Sequence, residues 1–308
     1  MTTGLFYHHD CLLHDMGDDH PEAPGRLAAI VEYLEDIGLG QDLSWITPQE
    51  VSHDLLRLAH SETYLEQLQL MAPARGRIMA DPDTAMTPHT LRAARLAAGG
   101  CSDAVDAVLS GELSNAFVCA RPPGHHAERS KTMGFCFYNN VAIAAKRALH
   151  FHNLERVAIF DFDVHQGNGT IDILRTDPRV LVCSTFQHPF YPNSPLANLP
   201  PNILNVPLPD GTTGLEYRRA VEAHCLKPLQ DFKPQLVLVS AGFDGHRKDP
   251  LAGFELETDD YRWITELLCS VARDSAGGRL VSTLEGGYHL GSLAQSAGIH
   301  VAVLTENQ

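Results

Sequence analysis

The amino-terminal residues Met1-Thr2-Thr3-Gly4-Leu5-Phe6-Tyr7 lack a charged leader and a long apolar stretch, so neither a signal peptide nor a membrane span is expected. Paired cysteine spacing is also missing. The seven cysteines are odd in number and form no CxxC, which argues against a structural zinc site built of thiolates. Cys119, Cys136, Cys183 and Cys269 lie in or beside apolar segments and read as reduced core residues, the pattern of a cytoplasmic protein. Cationic residues are few: 23 Lys and Arg stand against 38 Asp and Glu, a net charge of -15. That balance argues against nucleic acid as a direct partner, because phosphate binding rests on Lys and Arg. It suits cationic substrates such as lysine-rich peptides or polyamines, and it equally suits a surface that only keeps the protein soluble.

No Pro-, Gly- or Ser-rich linker, low-complexity stretch or internal repeat divides the 308 residues. With 44% hydrophobic residues, the chain can bury a substantial core and reads as one domain over 1–308. The densest proline segment, Pro189 to Pro209, holds Phe190, Tyr191, Leu199, Ile203 and Val206 and reads as an ordered loop. The sequence states no oligomeric preference.

What is present is a repeated local pattern. Four short apolar runs stand out: Ala116-Phe117-Val118-Cys119-Ala120, Val157-Ala158-Ile159-Phe160, Leu236-Val237-Leu238-Val239 and Leu280-Val281-Ser282-Thr283-Leu284. Each has the character of a buried parallel strand, and each is followed by glycine with His, Asp or Tyr, where open α/β sheets place their ligands. Helical patterns occupy Arg26 to Ile37, Pro88 to Leu109, Asn140 to His150, Gly214 to Pro228, Asp259 to Arg273 and Leu290 to Thr305. The alternation predicts an α/β fold, a single-domain three-layer αβα arrangement with a mainly parallel sheet.

The densest chemistry lies in Asp161-Phe162-Asp163-Val164-His165. Side chains two apart in extended backbone point the same way, so the two carboxylates and the imidazole can face one pocket. Such a set suits a borderline divalent ion, and three polar residues at a strand end are also an ordinary turn. The other segments decide: Arg121-Pro122-Pro123-Gly124-His125-His126-Ala127, Ser240-Ala241-Gly242-Phe243-Asp244 and Glu285-Gly286-Gly287-Tyr288 all stand at the ends of the remaining runs.

At these residues the chain resembles the zinc-dependent histone deacetylase family. The matching motifs are RPPGHHA, DFDVHQGNG, SAGFDGHRKDPL and LEGGY, with His20-Pro21-Glu22-Ala23-Pro24-Gly25-Arg26 similar to the family's amino-terminal motif. They run in order from about residue 4 to about 305, and LEGGY and GFD look more like the class II and bacterial histone deacetylase-like amidohydrolase branch than class I. The resemblance implies the arginase/deacetylase fold and a metal-dependent amidohydrolase that removes acetyl or short acyl groups from lysine side chains and releases acetate. An acetylpolyamine amidohydrolase is the alternative, and a catalytically silent acyl-lysine binding module a weaker one, since every member of the reaction set is present.

Residue by residue, the resemblance implies Asp163, His165 and Asp244 as ligands of Zn²⁺, with Fe²⁺ the alternative ion for such an oxygen-rich set. It makes His126 the general base and acid and His125 its electrostatic partner, with Asp161 behind His125 and Asn168 behind His126. Class I members carry Asp at the Asn168 position; a neutral amide orients the ring without stabilising its cation. Tyr288 would stabilise the oxyanion, with Gly286 and Gly287 giving the backbone freedom to bring it inward, and Gly287 is counted with the substrate-binding residues. Phe135 and either Tyr191 or Phe190 match the aromatic walls around the lysine methylenes, and all three are counted with the substrate-binding residues. Leu251 fills a position where the acetylpolyamine branch places Glu. Arg26 matches the arginine near the acetate exit channel. Asp81 and Asp83 stand as alternatives for a rim carboxylate. A structural K⁺ is implied at Ser184, with Asp161 and backbone carbonyls near Asp163, His165 and Thr185.

Overall fold

The computed structural model describes residues 2–308. Ten strands form: β1 (Thr2–Phe6), β2 (Leu43–Ile46), β3 (Ile78–Asp81), β4 (Thr84–Met86), β5 (Leu113–Val118), β6 (Val157–Asp161), β7 (Val180–Gln187), β8 (Ile203–Leu208), β9 (Leu236–Ala241) and β10 (Leu280–Leu284). Eight of them make one sheet in the order β2-β1-β5-β10-β9-β6-β7-β8, and every pairing within it is parallel. The only antiparallel pair among the described residues is the β3–β4 hairpin. Strands β6, β9 and β10 are buried along their whole length, as parallel strands covered on both faces must be.

The chain leaves a gap between β5 and β6 that β9 and β10 fill on its return. The four strands that carry the motifs are therefore consecutive neighbours, β5-β10-β9-β6, at the centre of the sheet. A break in strand succession of this kind opens a crevice at the carboxyl ends.

Among the described residues ten α-helices cover the sheet: α1 (Gly25–Asp36), α2 (His53–Ala59), α3 (Glu62–Met71), α4 (Thr90–Ser110), α5 (Asn140–Phe151), α6 (Asn168–Leu174), α7 (Gly214–Val221), α8 (Lys227–Phe232), α9 (Thr258–Ala276) and α10 (Leu290–Glu306). One layer packs α1 on α10 and α10 on α9; the other packs α4 on α5 and α5 on α2. The three-layer αβα arrangement is thus present. The helix expected over Gly214 to Pro228 is interrupted by a π turn at Glu222–Leu226 and then runs on to Phe232. Pro228 has no N–H to donate and its ring crowds the carbonyl one turn back, and the widened turn relieves both problems. No described helix is long and apolar enough to cross a membrane. All seven cysteines are buried as free thiols.

Candidate active site

Strand β6 ends at Asp161, so the alternation expected through His165 does not come from a strand pleat. The segment beyond it is a turn locked by its own carboxylates: Asp163 N donates to Asp161 Oδ1 at 3.1 Å and His165 N donates to Asp163 Oδ1 at 2.9 Å. The neighbouring strands close the ring. Val164 N donates to Asp244 Oδ1 at 3.0 Å and Gly286 N donates to Asp163 Oδ2 at 2.8 Å. His165 Nδ1 then lies 3.0 Å from Asp163 Oδ1 and 3.1 Å from Asp244 Oδ2. A side chain on Gly286 would run into Asp244 Oδ2 and into Asp163, so only glycine allows this approach.

Asp163, His165 and Asp244 each offer a ligand atom, all within 4.8 Å of one another, and all three residues are buried. Two carboxylates and an imidazole are the donor set of a borderline divalent cation, so the residues fit such an ion. Their electrostatics agree. Burial works against a charged His165, yet Asp163 and Asp244 push its imidazole up to about 10, so the pocket favours positive charge at this spot. Asp161 does not join the three; it stands behind, with Oδ2 3.0 Å from His125 Nδ1.

The two histidines sit side by side, ring centroids 4.0 Å apart, and differ in their partners. Burial disfavours the charged form of both. For His125 the Asp163 and Asp161 carboxylates overcome burial and hold it well above the usual range; His126, with His125 and His165 beside it, stands well below. Two like groups pushed in opposite directions are the mark of divided acid and base roles. His126 Nδ1 lies 2.7 Å from Asn168 Oδ1. The loop that carries the pair hangs on Glu285, whose Oε2 accepts from Gly124 N at 2.6 Å and from His125 N at 3.1 Å while Oε1 accepts from Ser240 Oγ at 3.0 Å. Glu285, present in the Glu285-Gly286-Gly287-Tyr288 segment without an expected role, had one signal: a charged residue closing an apolar strand.

Above these groups a cavity of about 190 Å³ is lined by Asp83, His126, Gly134, Phe135, His165, Phe190, Tyr191, Leu251 and Tyr288. Three aromatic side chains line it: Phe190 stacks on the His165 ring at 5.4 Å, Tyr191 meets His126 edge-on at 5.1 Å, and Phe135 meets Tyr288 edge-on at 6.0 Å. Phe135 holds a left-handed φ of 68°, kept there by Thr84 Oγ1 accepting its N–H at 2.9 Å. Of the two rim alternatives Asp83 lines the cavity, and its Oδ1 accepts from Gly134 N at 3.2 Å. Asp249 accepts from Tyr288 N at 2.6 Å and from Leu251 N at 3.1 Å, so one buried carboxylate sets both positions. Asp249 was also missed, although it lies within a quoted motif.

Gly287 is placed differently from its expectation. It is no part of the cavity wall; at φ 118° it makes the turn beneath Tyr288, and its carbonyl accepts from Arg26 Nε at 2.6 Å. Arg26 is buried under the same turn, its guanidinium 4.9 Å from the Tyr288 ring centroid and bonded to Glu22. Ser184 Oγ is buried with no hydrogen-bond partner, and Thr185 Oγ1 reaches the Asp161 carbonyl at 3.4 Å. A larger cleft of about 820 Å³ lies elsewhere, lined by Leu113, Arg273 and Arg279, and none of the residues above belongs to it.

Residues 20–304 match the model of the histone deacetylase domain. A probable deacetylase of Archaeoglobus fulgidus is 35% identical over 326 residues, covering 99% of this chain and 89% of that protein. Polyamine deacetylase HDAC10 of Mus musculus is 37% identical over 331 residues, with 99% of this chain spanning 48% of its length. The crystal structure of the HDA15 HD domain superposes with a TM-score of 0.92 at 33% identity, covering 99% of this chain and 89% of that one.

Proposed function

The chain belongs to the histone deacetylase family of hydrolases, and from that premise we propose that it is a zinc-dependent deacetylase that cleaves the amide of acetyl-lysine side chains and releases acetate. The observation that carries this reading is the convergence of four strand ends on one buried Asp–His–Asp set under an apolar-walled cavity. Zn²⁺, or Fe²⁺ in its place, held by Asp163, His165 and Asp244, would supply Lewis acidity that polarises the amide carbonyl and acidifies water.

The chain's own residues do the rest. Phe135, Phe190 and Tyr191 hold the lysine methylenes and exclude solvent, and Asp83 at the rim receives the substrate's N–H groups. His126, kept neutral by burial and by the positive charge beside it, accepts a proton from water and returns it to the leaving amine. Tyr288 donates its hydroxyl to the oxyanion. Arg26, below the turn, faces the acetate side. K⁺ is proposed among the oxygens of Asp161, Ser184 and Thr185 and the carbonyls of Asp163 and His165, supported by the orphaned Ser184 hydroxyl.

Leu251 on the cavity wall supports a lysine substrate, because an apolar gate offers a second ammonium no compensating charge. Acetylpolyamine hydrolysis is the second reading, favoured by the mouse relative, a polyamine deacetylase, and by Asp83 at the mouth. A substrate panel decides. An acetyl-lysine peptide should be turned over with the higher kcat/KM, and a preference for acetylspermidine would make the second reading the leading one.

A further inference from the structure

Asn168 is buried between two partners of opposite demand. On one side its Oδ1 faces His126 Nδ1 at 2.7 Å; on the other its Nδ2 donates to Glu128 Oε1 at 2.8 Å and to Met133 Sδ at 3.3 Å. The direction of this chain of bonds follows from chemistry. A carboxylate only accepts, so the Asn168 atom facing Glu128 must be the amide nitrogen. The oxygen then faces His126, and an oxygen can be met only by a nitrogen that carries a proton. His126 is thereby fixed as the Nδ1–H tautomer, which leaves its Nε2 lone pair bare for the reaction.

Without Glu128 the amide has little to choose between its two orientations, since thioether sulfur is a weak acceptor. In the flipped orientation the amide nitrogen faces His126 Nδ1, the proton moves to Nε2, and the ring loses its ability to accept a proton there. Glu128 is itself held: its carbonyl accepts from His60 Nδ1 at 3.0 Å and its N–H donates to Lys131 O at 3.0 Å, while the side chain remains half-buried beside the loop.

We propose that Glu128 is a positioning residue for proton transfer: it clamps the Asn168 amide and so selects the base-competent tautomer of His126. An aspartate in place of Asn168 would present two acceptor oxygens and would need no clamp, so Glu128 is the partner that a neutral amide requires. The inference rests on the reading of His126 as the base, and its test contains a measurement that does not depend on turnover.

The purified full chain, labelled with ¹⁵N-histidine, reports the His126 tautomer by long-range proton–nitrogen correlation, with the His126 signals identified by their loss in His126→Gln. The parent should show a protonated Nδ1 and a bare Nε2. Glu128→Leu should bring in the Nε2–H form and lower kcat on an acetyl-lysine peptide about tenfold while KM stays within about twofold. Glu128→Gln, whose amide oxygen can still accept, should restore the parent tautomer and most of the rate. Placed on top of Asn168→Asp, Glu128→Leu should not lower kcat, because no flip remains to prevent and the change also takes a carboxylate away from the acceptor oxygen it would then face. An Nε2–H tautomer in the parent, an unchanged tautomer in Glu128→Leu, or an undiminished loss on top of Asn168→Asp would each overturn the clamp. A parent that turns over no acetylated substrate would defeat the functional reading, and the tautomer measurement would still decide the clamp.

Discussion

A hydroxyl that keeps its proton is the better oxyanion donor, and Tyr288 is held in that state: burial pushes it well above the usual tyrosine range, with the Arg26 guanidinium pulling the other way. Tyr288→Phe removes one donor and should lower kcat by roughly 10²-fold with KM and bound metal unchanged, since one oxyanion donor is worth about that much. A rate within about threefold of the parent would reject the role. Leu251 makes the complementary case for specificity. Leu251→Glu should raise kcat/KM for acetylspermidine relative to an acetyl-lysine peptide, because the new carboxylate pairs with a distal amine and disfavours a neutral backbone. Steady-state assays with both substrates check it, and an unchanged ratio would show that the wall at Leu251 does not select. The residues proposed to react could be named from sequence because the motifs carry them directly. Glu285, Asp249 and Glu128 were not singled out, since their work is done through main-chain N–H groups or a second side chain and appears only once the strand ends are brought together.

Among the elements of secondary structure, long helices and the four motif-bearing strands were readable, and short elements without a motif were not. The expected helices over Arg26 to Ile37, Asn140 to His150 and Leu290 to Thr305 match α1, α5 and α10 within a residue or so at each end. Helices α2 and α3 span only 7 and 10 residues, too short for a repeating pattern to stand out; their signals are the capping serines Ser52 and Ser61, which accept from Leu55 N and Tyr64 N. Strands β1 and β2 lie toward one edge of the sheet and carry no motif, so nothing marked them. One contact between elements has a pH signature. His300 on α10 is fully buried, meeting Thr265 of α9 at 2.7 Å and Ser282 of β10 at 2.8 Å, and burial lowers its pKa from 6.5 to about 3. The unfolded chain therefore binds a proton below about pH 6.5 that the folded chain refuses, and the contribution of neutral His300 is complete above that pH and lost as pH falls toward 3. The stability advantage of the parent over His300→Gln, measured by urea unfolding, should be constant above pH 7 and shrink by about 1.4 kcal/mol per unit below about 6.5. An advantage that grows with acid would contradict a neutral buried ring.

For the whole molecule, the decisive feature is that four distant stretches of chain become adjacent strands, β5-β10-β9-β6. The sequence places a chemical group after each apolar run but says nothing of strand order, which depends on how β9 and β10 insert between earlier strands. That insertion puts Asp163 on β6's extension against Asp244 after β9 and Gly286 after β10. On the proposed function, this convergence binds a divalent ion on which amide hydrolysis depends. The most direct test is acetate release from an acetyl-lysine peptide by protein stripped with a chelator, then titrated with Zn²⁺ alongside Asp244→Ala. Negligible release is expected from the stripped protein, recovery at about one equivalent of Zn²⁺, and neither tight uptake nor recovery in Asp244→Ala, because without the ion the attacking water stays far too weak an acid to ionise at neutral pH. Full activity in rigorously metal-free protein would contradict it.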